Sequence, residues 1–277
     1  AVAMTDTGNL HGAVRFAQAA QAAGIRPVIG AEISGIDLSA PLTPEVVETL
    51  HQALMTHLVL FFRDQALSFE QHKAFGRHFG DLHIHPAAPK DVDHPEILVV
   101  HGDATVKFVA GELWHSAVSC DVEPPMGSIL RIEQVPMSGG DTLFASMYAA
   151  YEALSDRMKT YLEGLTALHD GALIFGEGTP RSEHPVVVRH PESGRKSLFL
   201  NRTAVRWISG LPRGEGIALA DFLTAHCRSP EFFYRFRWEP HSIAFWDNRC
   251  VQHYALNDYP GQRRYMNRVT VDGGRPA

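Results

Sequence analysis

A mainly β architecture, a sandwich or jelly roll flanked by helices, is the fold class that this sequence predicts, and three observations lead there. Short apolar or alternating stretches recur at 97–100, 128–133, 186–189, 197–201, 232–238, 243–246 and 268–271, each broken by Pro, Gly or Asp clusters, as strands are. Helical patterns at 147–154, 156–162 and 217–226 interrupt them without the regular strand–helix alternation of a parallel sheet. Finally, 45% hydrophobic and 20% charged residues supply material for a core, and an all-β domain of 277 residues needs no division, so one domain over 1–277 is expected.

The elements follow in order. Residues 1–25 read as an N-terminal extension. It has an Ala-rich stretch (Ala13, Phe16, Ala20, Ala23) of helical spacing, and Ala1-Val2-Ala3 before Met4 looks like a tag remnant. Ile29, Ala31 and Ile33 alternate as a half-buried strand does. Thr43-Pro44 opens a helix, because Thr43 can cap it and Pro44 has the fixed φ of a first helical residue; Val46, Val47, Leu50 and Leu54 give it one apolar face. The run 58–62 has strand length and no polar residue, which suits a strand covered on both faces. Ser68 and Gln71 have capping-box spacing for a second helix carrying Phe75 and Phe79. Phe232, Tyr234, Phe236 and Trp238 alternate as the core face of a strand.

Composition narrows the function. A formal charge of -6 and a pI of about 6.2 argue against a nucleic-acid partner, whose phosphates are neutralised by Lys and Arg. Three cysteines, Cys120, Cys227 and Cys250, lack metal-ligand spacing and suit a reducing compartment, so a cytoplasmic location is expected. No apolar run approaches the roughly 20 residues that span a bilayer, so no membrane partner is expected.

Two segments carry chemistry. The first is Glu112-Leu113-Trp114-His115-Ser116-Ala117-Val118-Ser119-Cys120, followed by Pro124-Pro125 and Gly139-Gly140-Asp141-Thr142. The second is Phe245-Trp246-Asp247-Asn248-Arg249-Cys250-Val251-Gln252-His253-Tyr254-Ala255, running on to Arg263, Arg264 and Arg268. Together they resemble the taurine dioxygenase (TauD/TfdA) family of Fe(II)/2-oxoglutarate-dependent oxygenases, a likeness that extends from Gly30 to Asp272.

The resemblance implies a double-stranded β-helix, the cupin-like jelly roll, and an oxidoreductase using Fe(II), 2-oxoglutarate and O2 on a small, anionic substrate. It assigns His115 and His253 as metal ligands, with His115 and residue 117 taken to lie on one strand and to share a face. Arg264 would grip the distal carboxylate of 2-oxoglutarate with Thr142 beside it, as befits a permanently charged bidentate donor. Arg268 would lie nearer the iron, at the cofactor's other end or the substrate, and His85 would touch substrate. Ala88 replaces a substrate-contacting tyrosine of the taurine enzyme, and the chain looks short around 172–185, where a lid is expected. Family members often form dimers or tetramers, so a homo-oligomer is expected.

Position 117 departs from the pattern. Relatives keep Asp there, and the Ala117 methyl group cannot ligate iron. Three readings stay open: a hydroxylase disabled or reprogrammed by substitution, a halogenase that binds chloride in the vacated place, or a relative that binds 2-oxoglutarate without catalysis.

Overall fold

The computed structural model describes residues 29–86, 88, 92–103 and 111–277; the expected helix and tag remnant before residue 26 lie outside them. In chain order the first elements are β1 (Ala31–Ile33), α1 (Pro44–His57), β2 (Val59–Phe62), α2 (Phe69–Arg77), β3 (Leu98–Gly102) and β4 (Gly127–Gln134). The middle comprises β5 (Thr142–Ser146), α3 (Met147–Glu152), α4 (Asp156–Leu162), β6 (Thr166–Asp170), α5 (Ala172–Phe175), β7 (Arg181–Pro185), β8 (Val187–Arg189), β9 (Lys196–Leu198) and β10 (Val205–Ile208). Last come α6 (Arg213–Cys227), β11 (Phe233–Phe236), β12 (Ile243–Asp247), β13 (Val251–Ala255) and β14 (Arg264–Val271).

A six-stranded sheet, β1-β2-β12-β4-β14-β3, faces a three-stranded sheet, β11-β5-β13. Only β1–β2 pairs in parallel within these two sheets. Aromatic rings fill the space between them. Phe61 of β2 stacks on Phe236 of β11 with centroids 4.0 Å apart, and Phe144 of β5 meets Trp246 of β12 at 5.4 Å. Such pairs add about 0.5–1.5 kcal/mol each beyond the area they bury.

The large sheet is covered on both faces, which is why β2 and β12 at its centre read as unbroken apolar runs at 59–62 and 243–246. Side chains alternate along each strand. Phe61, Leu130, Ala244 and Met266 therefore point between the sheets, while Phe62, Ile129, Phe245 and Val269 pack beneath α1 and α2 against Leu50, Leu54 and Phe75. A third core joins the outer face of the small sheet to α3 and α6 through Ala145, Met147, Ala150 and Leu223.

Both caps form as the sequence predicts. Thr43 Oγ1 accepts the N–H of Val46, and Ser68 and Gln71 exchange both bonds of a capping box. Leu58, expected to begin a strand, instead ends α1 in the left-handed region (φ 68°), and its N–H returns to Leu54 O at 2.7 Å. Strands β5, β6, β7, β10 and β13 and helix α5 have no counterpart in the strand and helix patterns of the sequence.

Candidate active site

Alternation along three strands builds the site. On β14, Arg264, Met266 and Arg268 share the inward face, because residues two and four apart do. On β13, Val251, His253 and Ala255 face the same space while Tyr254 packs on the outer core. Thr142 and Phe144 of β5 point inward beside them. A cavity of about 530 Å³ results, lined by His85, His115, Ala117, Thr142, Trp246, His253, Arg264 and Arg268 among others. His85, His115, Ala117, Thr142, His253, Arg264 and Arg268, to which the resemblance assigns the site, therefore line one cavity.

His115 and His253 are joined by main chain. They form an isolated antiparallel bridge, His115 N donating to His253 O (3.1 Å) and His253 N to His115 O (2.9 Å), which holds the ring centroids 4.1 Å apart. The expectation that position 117 continues a strand is corrected here. The chain is extended only at His115 and then turns through Ala117–Cys120, with Val118 at φ 48°, while Ser116 Oγ anchors the turn on Val251 O at 3.1 Å. Ala117 is buried in that turn against Val118, Cys120 and Phe175, and its methyl group lines the pocket.

The imidazoles are prepared as neutral donors. Leu113 O can only accept, so the 2.7 Å contact from His115 Nδ1 places the proton there and leaves the Nε2 lone pair free. Burial pulls His115 down to about 4, and burial together with the His115 and Arg268 charges takes His253 well below the ordinary histidine range. His253 Nδ1 is buried without a hydrogen-bond partner. Buried polar atoms are seldom left unpaired, so this orphan fits a ring that takes a ligand from the cavity.

The opposite end is already organised. Arg264 Nε donates to Gly140 O (3.0 Å) and Nη2 to Thr142 Oγ1 (3.3 Å), and Trp238 Nε1 donates to the same hydroxyl at 2.9 Å. Gly140 adopts φ 73°, and a Cβ there would lie 3.3 Å from both Arg264 Cδ and the Tyr259 ring. Only glycine allows this turn and this approach together. Arg268 is buried, and its Nε has no partner. Burial lowers both arginines to about 10, which leaves both cationic at neutral pH.

His85 faces the cavity with its ring edge-on to Phe175 at 5.2 Å, and burial, followed by Arg268, His83 and His115, brings it down to about 2. Leu173, Ile174 and Phe175 of α5 close one side. The sequence reading locates a lid in this region but not these side chains, and a run of four apolar residues after Gly171 was its only signal.

A second cluster has metal-ligand types, His190, Asp247 and Cys250, with ligand atoms within 4.8 Å of one another. His190 Nδ1 accepts the N–H groups of Glu192 (3.3 Å) and Ser193 (3.1 Å), so Nε2 holds the proton and gives it to Asp247 Oδ2 at 3.0 Å. Arg249 takes both oxygens of the same carboxylate, through Nε at 2.9 Å and Nη2 at 2.6 Å. The lone pairs a metal would need are spent on fixing the turn between β12 and β13.

Comparison with known proteins gives the family. Residues 21–270 match the family model described as taurine catabolism dioxygenase TauD, TfdA family. The chain belongs to this family. An alkylsulfatase of Acinetobacter baylyi is 36% identical over 265 residues, covering 88% of this chain and 82% of that protein. An alpha-ketoglutarate-dependent sulfate ester dioxygenase of Pseudomonas putida is 34% identical over 268 residues, covering 90% and 88%. Among solved structures, AAD-2 in complex with Mn(II) and N-oxalylglycine superposes with a TM-score of 0.79 at 32% identity, covering 90% of this chain and 96% of that one. The fold is the jelly roll of these dioxygenases, and the chain is a non-haem Fe(II)/2-oxoglutarate-dependent oxidoreductase by family. No helix among the described residues is long and apolar enough to cross a membrane.

The residues present fit those groups in part. Two neutral imidazoles with available nitrogens suit ferrous iron, and a buried arginine beside a threonine hydroxyl suits a dicarboxylate. A protein carboxylate at position 117 is missing from the set.

Proposed function

We propose that this chain holds Fe(II) between His115 and His253, takes the distal carboxylate of 2-oxoglutarate on Arg264 and Thr142, and functionalises a C–H bond of a small organic anion. When bound, the iron supplies oxidative decarboxylation of 2-oxoglutarate and attack on the substrate. The protein's own residues bind and orient. Arg264 offers a fork already fixed by Gly140 and Thr142, so little rotamer freedom is lost on gripping the cofactor. Arg268 and His85 receive the anionic group of the substrate, and Leu173, Ile174 and Phe175 lie along its apolar body and exclude water.

The observation that carries this reading is Arg268: a buried guanidinium with an unpaired Nε, facing a cavity with two neutral imidazoles. A buried charge without a partner is costly, and a bound anion relieves it. Relatives named for alkyl sulfate and sulfate ester chemistry support an anion of that class.

With Ala117 in place the protein offers only two neutral ligands, and we read the chain as a hydroxylase that has lost or exchanged its third. The surplus positive charge of Arg264 and Arg268 favours a second reading, in which chloride occupies the vacated place and the chain halogenates. One experiment separates these. Products are analysed by mass spectrometry with and without chloride, for this chain and for Ala117→Asp, after oxygen-free titration with Fe(II) and 2-oxoglutarate. Hydroxylation restored only by aspartate identifies the lost ligand, and a chlorinated product from the unaltered chain identifies the halogenase. Absence of a metal-to-cofactor charge-transfer band in both proteins sinks the assignment.

A further inference from the structure

Behind the lid lies a second cavity, of about 330 Å³, lined by Leu168, Asp170, Arg181, Arg206, Trp207 and Arg213. Three guanidiniums meet one carboxylate. Asp170 pairs with Arg181 Nε at 2.8 Å and reaches Arg206 Nε only at 4.0 Å. Arg213 lies over the Trp207 ring, its Cζ 5.4 Å from the centroid, and has no carboxylate partner among the described residues. Glu177 also approaches Arg181, at 3.7 Å, but is almost fully exposed and adds little. The cavity therefore has a positive surplus on one side and the apolar surfaces of Leu168 and Trp207 on the other.

Asp170 does a second job. Its Oδ1, the oxygen that holds Arg181, also accepts the N–H of Ala172 at 3.0 Å and so anchors the first residue of α5. The same short helix presents Leu173, Ile174 and Phe175 to the active-site pocket. An anion that competes for Arg181 and Arg206 therefore acts on the lid's anchor.

We propose that this cavity is a second anion-binding site, for an oxyanion carrying a small apolar or aromatic group, and that its occupation loosens α5 through Asp170. Guanidinium groups match oxyanions bidentately, and an aromatic group finds Trp207. The proposal is independent of how position 117 is read and of whether the chain turns over.

Phenyl phosphate is the probe, titrated by calorimetry and tryptophan fluorescence into the full chain, an Arg268→Ala chain, an Arg206→Ala/Arg213→Ala chain and, as optical control, Trp207→Phe. Arg206 and Arg213 are exposed, so their removal leaves the fold intact, and matching thermal melts check this. Saturable binding is expected in the chain and in the Arg268→Ala form, weakened about tenfold without Arg206 and Arg213, as loss of two half-exposed charge contacts dictates. Inorganic phosphate is expected to bind more weakly than phenyl phosphate, and amide exchange over 171–176 is expected to quicken on binding. Absence of saturable binding, or binding abolished by Arg268→Ala and untouched by the double substitution, overturns the site. Equal affinity for the two probes overturns the apolar half of the assignment, and unchanged exchange at 171–176 overturns the coupling to the lid.

Discussion

The two ends of the active-site pocket are built on opposite principles. At the Arg264 end Thr142 Oγ1 takes hydrogen bonds from Trp238 and Arg264, and Arg264 also bonds Gly140. At the imidazole end His253 Nδ1 and Arg268 Nε are buried unpaired, and Ala117 presents a methyl group where a third donor is expected. The Arg264 side chain is held by hydrogen bonds within the protein, whereas His253 Nδ1 and Arg268 Nε are not. Positioning is thus finished by the protein alone, whereas the charge balance is left to whatever binds.

Breaking the Arg264 end gives the largest effect expected. Arg264→Ala removes the buried cation for the dicarboxylate and should weaken 2-oxoglutarate by at least about thirtyfold, read by oxygen-free titration, since losing one partner of a buried charge pair costs about 2–5 kcal/mol. Altering the imidazole end comes next. Ala117→Asp returns an anionic ligand and should tighten Fe(II) by about tenfold or more in a competitive chelator assay. A smaller effect tests whether the Arg264 end depends on its hydroxyl. Thr142→Val keeps the shape but strands two buried donors, Trp238 Nε1 and Arg264 Nη2, and should lower stability by about 1–3 kcal/mol in denaturant melts.

A titration tests the buried histidines of the imidazole end and those of the ordinary core together. His72 and His169 are each brought down to about 3, mainly by burial, with Arg131 and His184 respectively adding to it. Unfolded, each takes its proton near pH 6.5, so below that pH the unfolded chain binds more protons than the folded one. Stability should be flat above pH 6.5 and decline as pH falls from 6.5 towards 3, with a limiting slope of about 1.4 kcal/mol per pH unit for each histidine. Stability unchanged between pH 7 and 5 refutes the burial argument.

Much of this was legible before any coordinates. Thr43, Pro44, Ser68 and Gln71 declare helix starts through local chemistry, and local chemistry is what a sequence displays. The two-sided burial of the large sheet shows as unbroken apolar runs at 59–62 and 243–246. Strands β5 and β13 were not visible by pattern, because Thr142 and His253 are polar residues turned inward for the site and Gln252 is buried on the other face against Leu200 O, which breaks the alternation a strand displays. They hold their places by pairing with each other, His253 opposite Phe144, a relation between residues far apart in the chain. The residues that line the cavity were singled out through family resemblance, not through periodicity. Helix α5, four residues long, is too short for any period to register, and Arg181, Arg206 and Arg213 come together only when β7, β10 and α6 do.

The paired backbone bonds between His115 and His253 have a practical corollary. Because the two rings are stitched through amides and not through position 117, that position behaves as an interchangeable fitting on a rigid mount. Aspartate, glutamate, histidine or an exogenous carboxylate can be tried there in turn while the mount stays still, which makes this chain a ready scaffold for asking what a single donor atom does to a metal's reactivity.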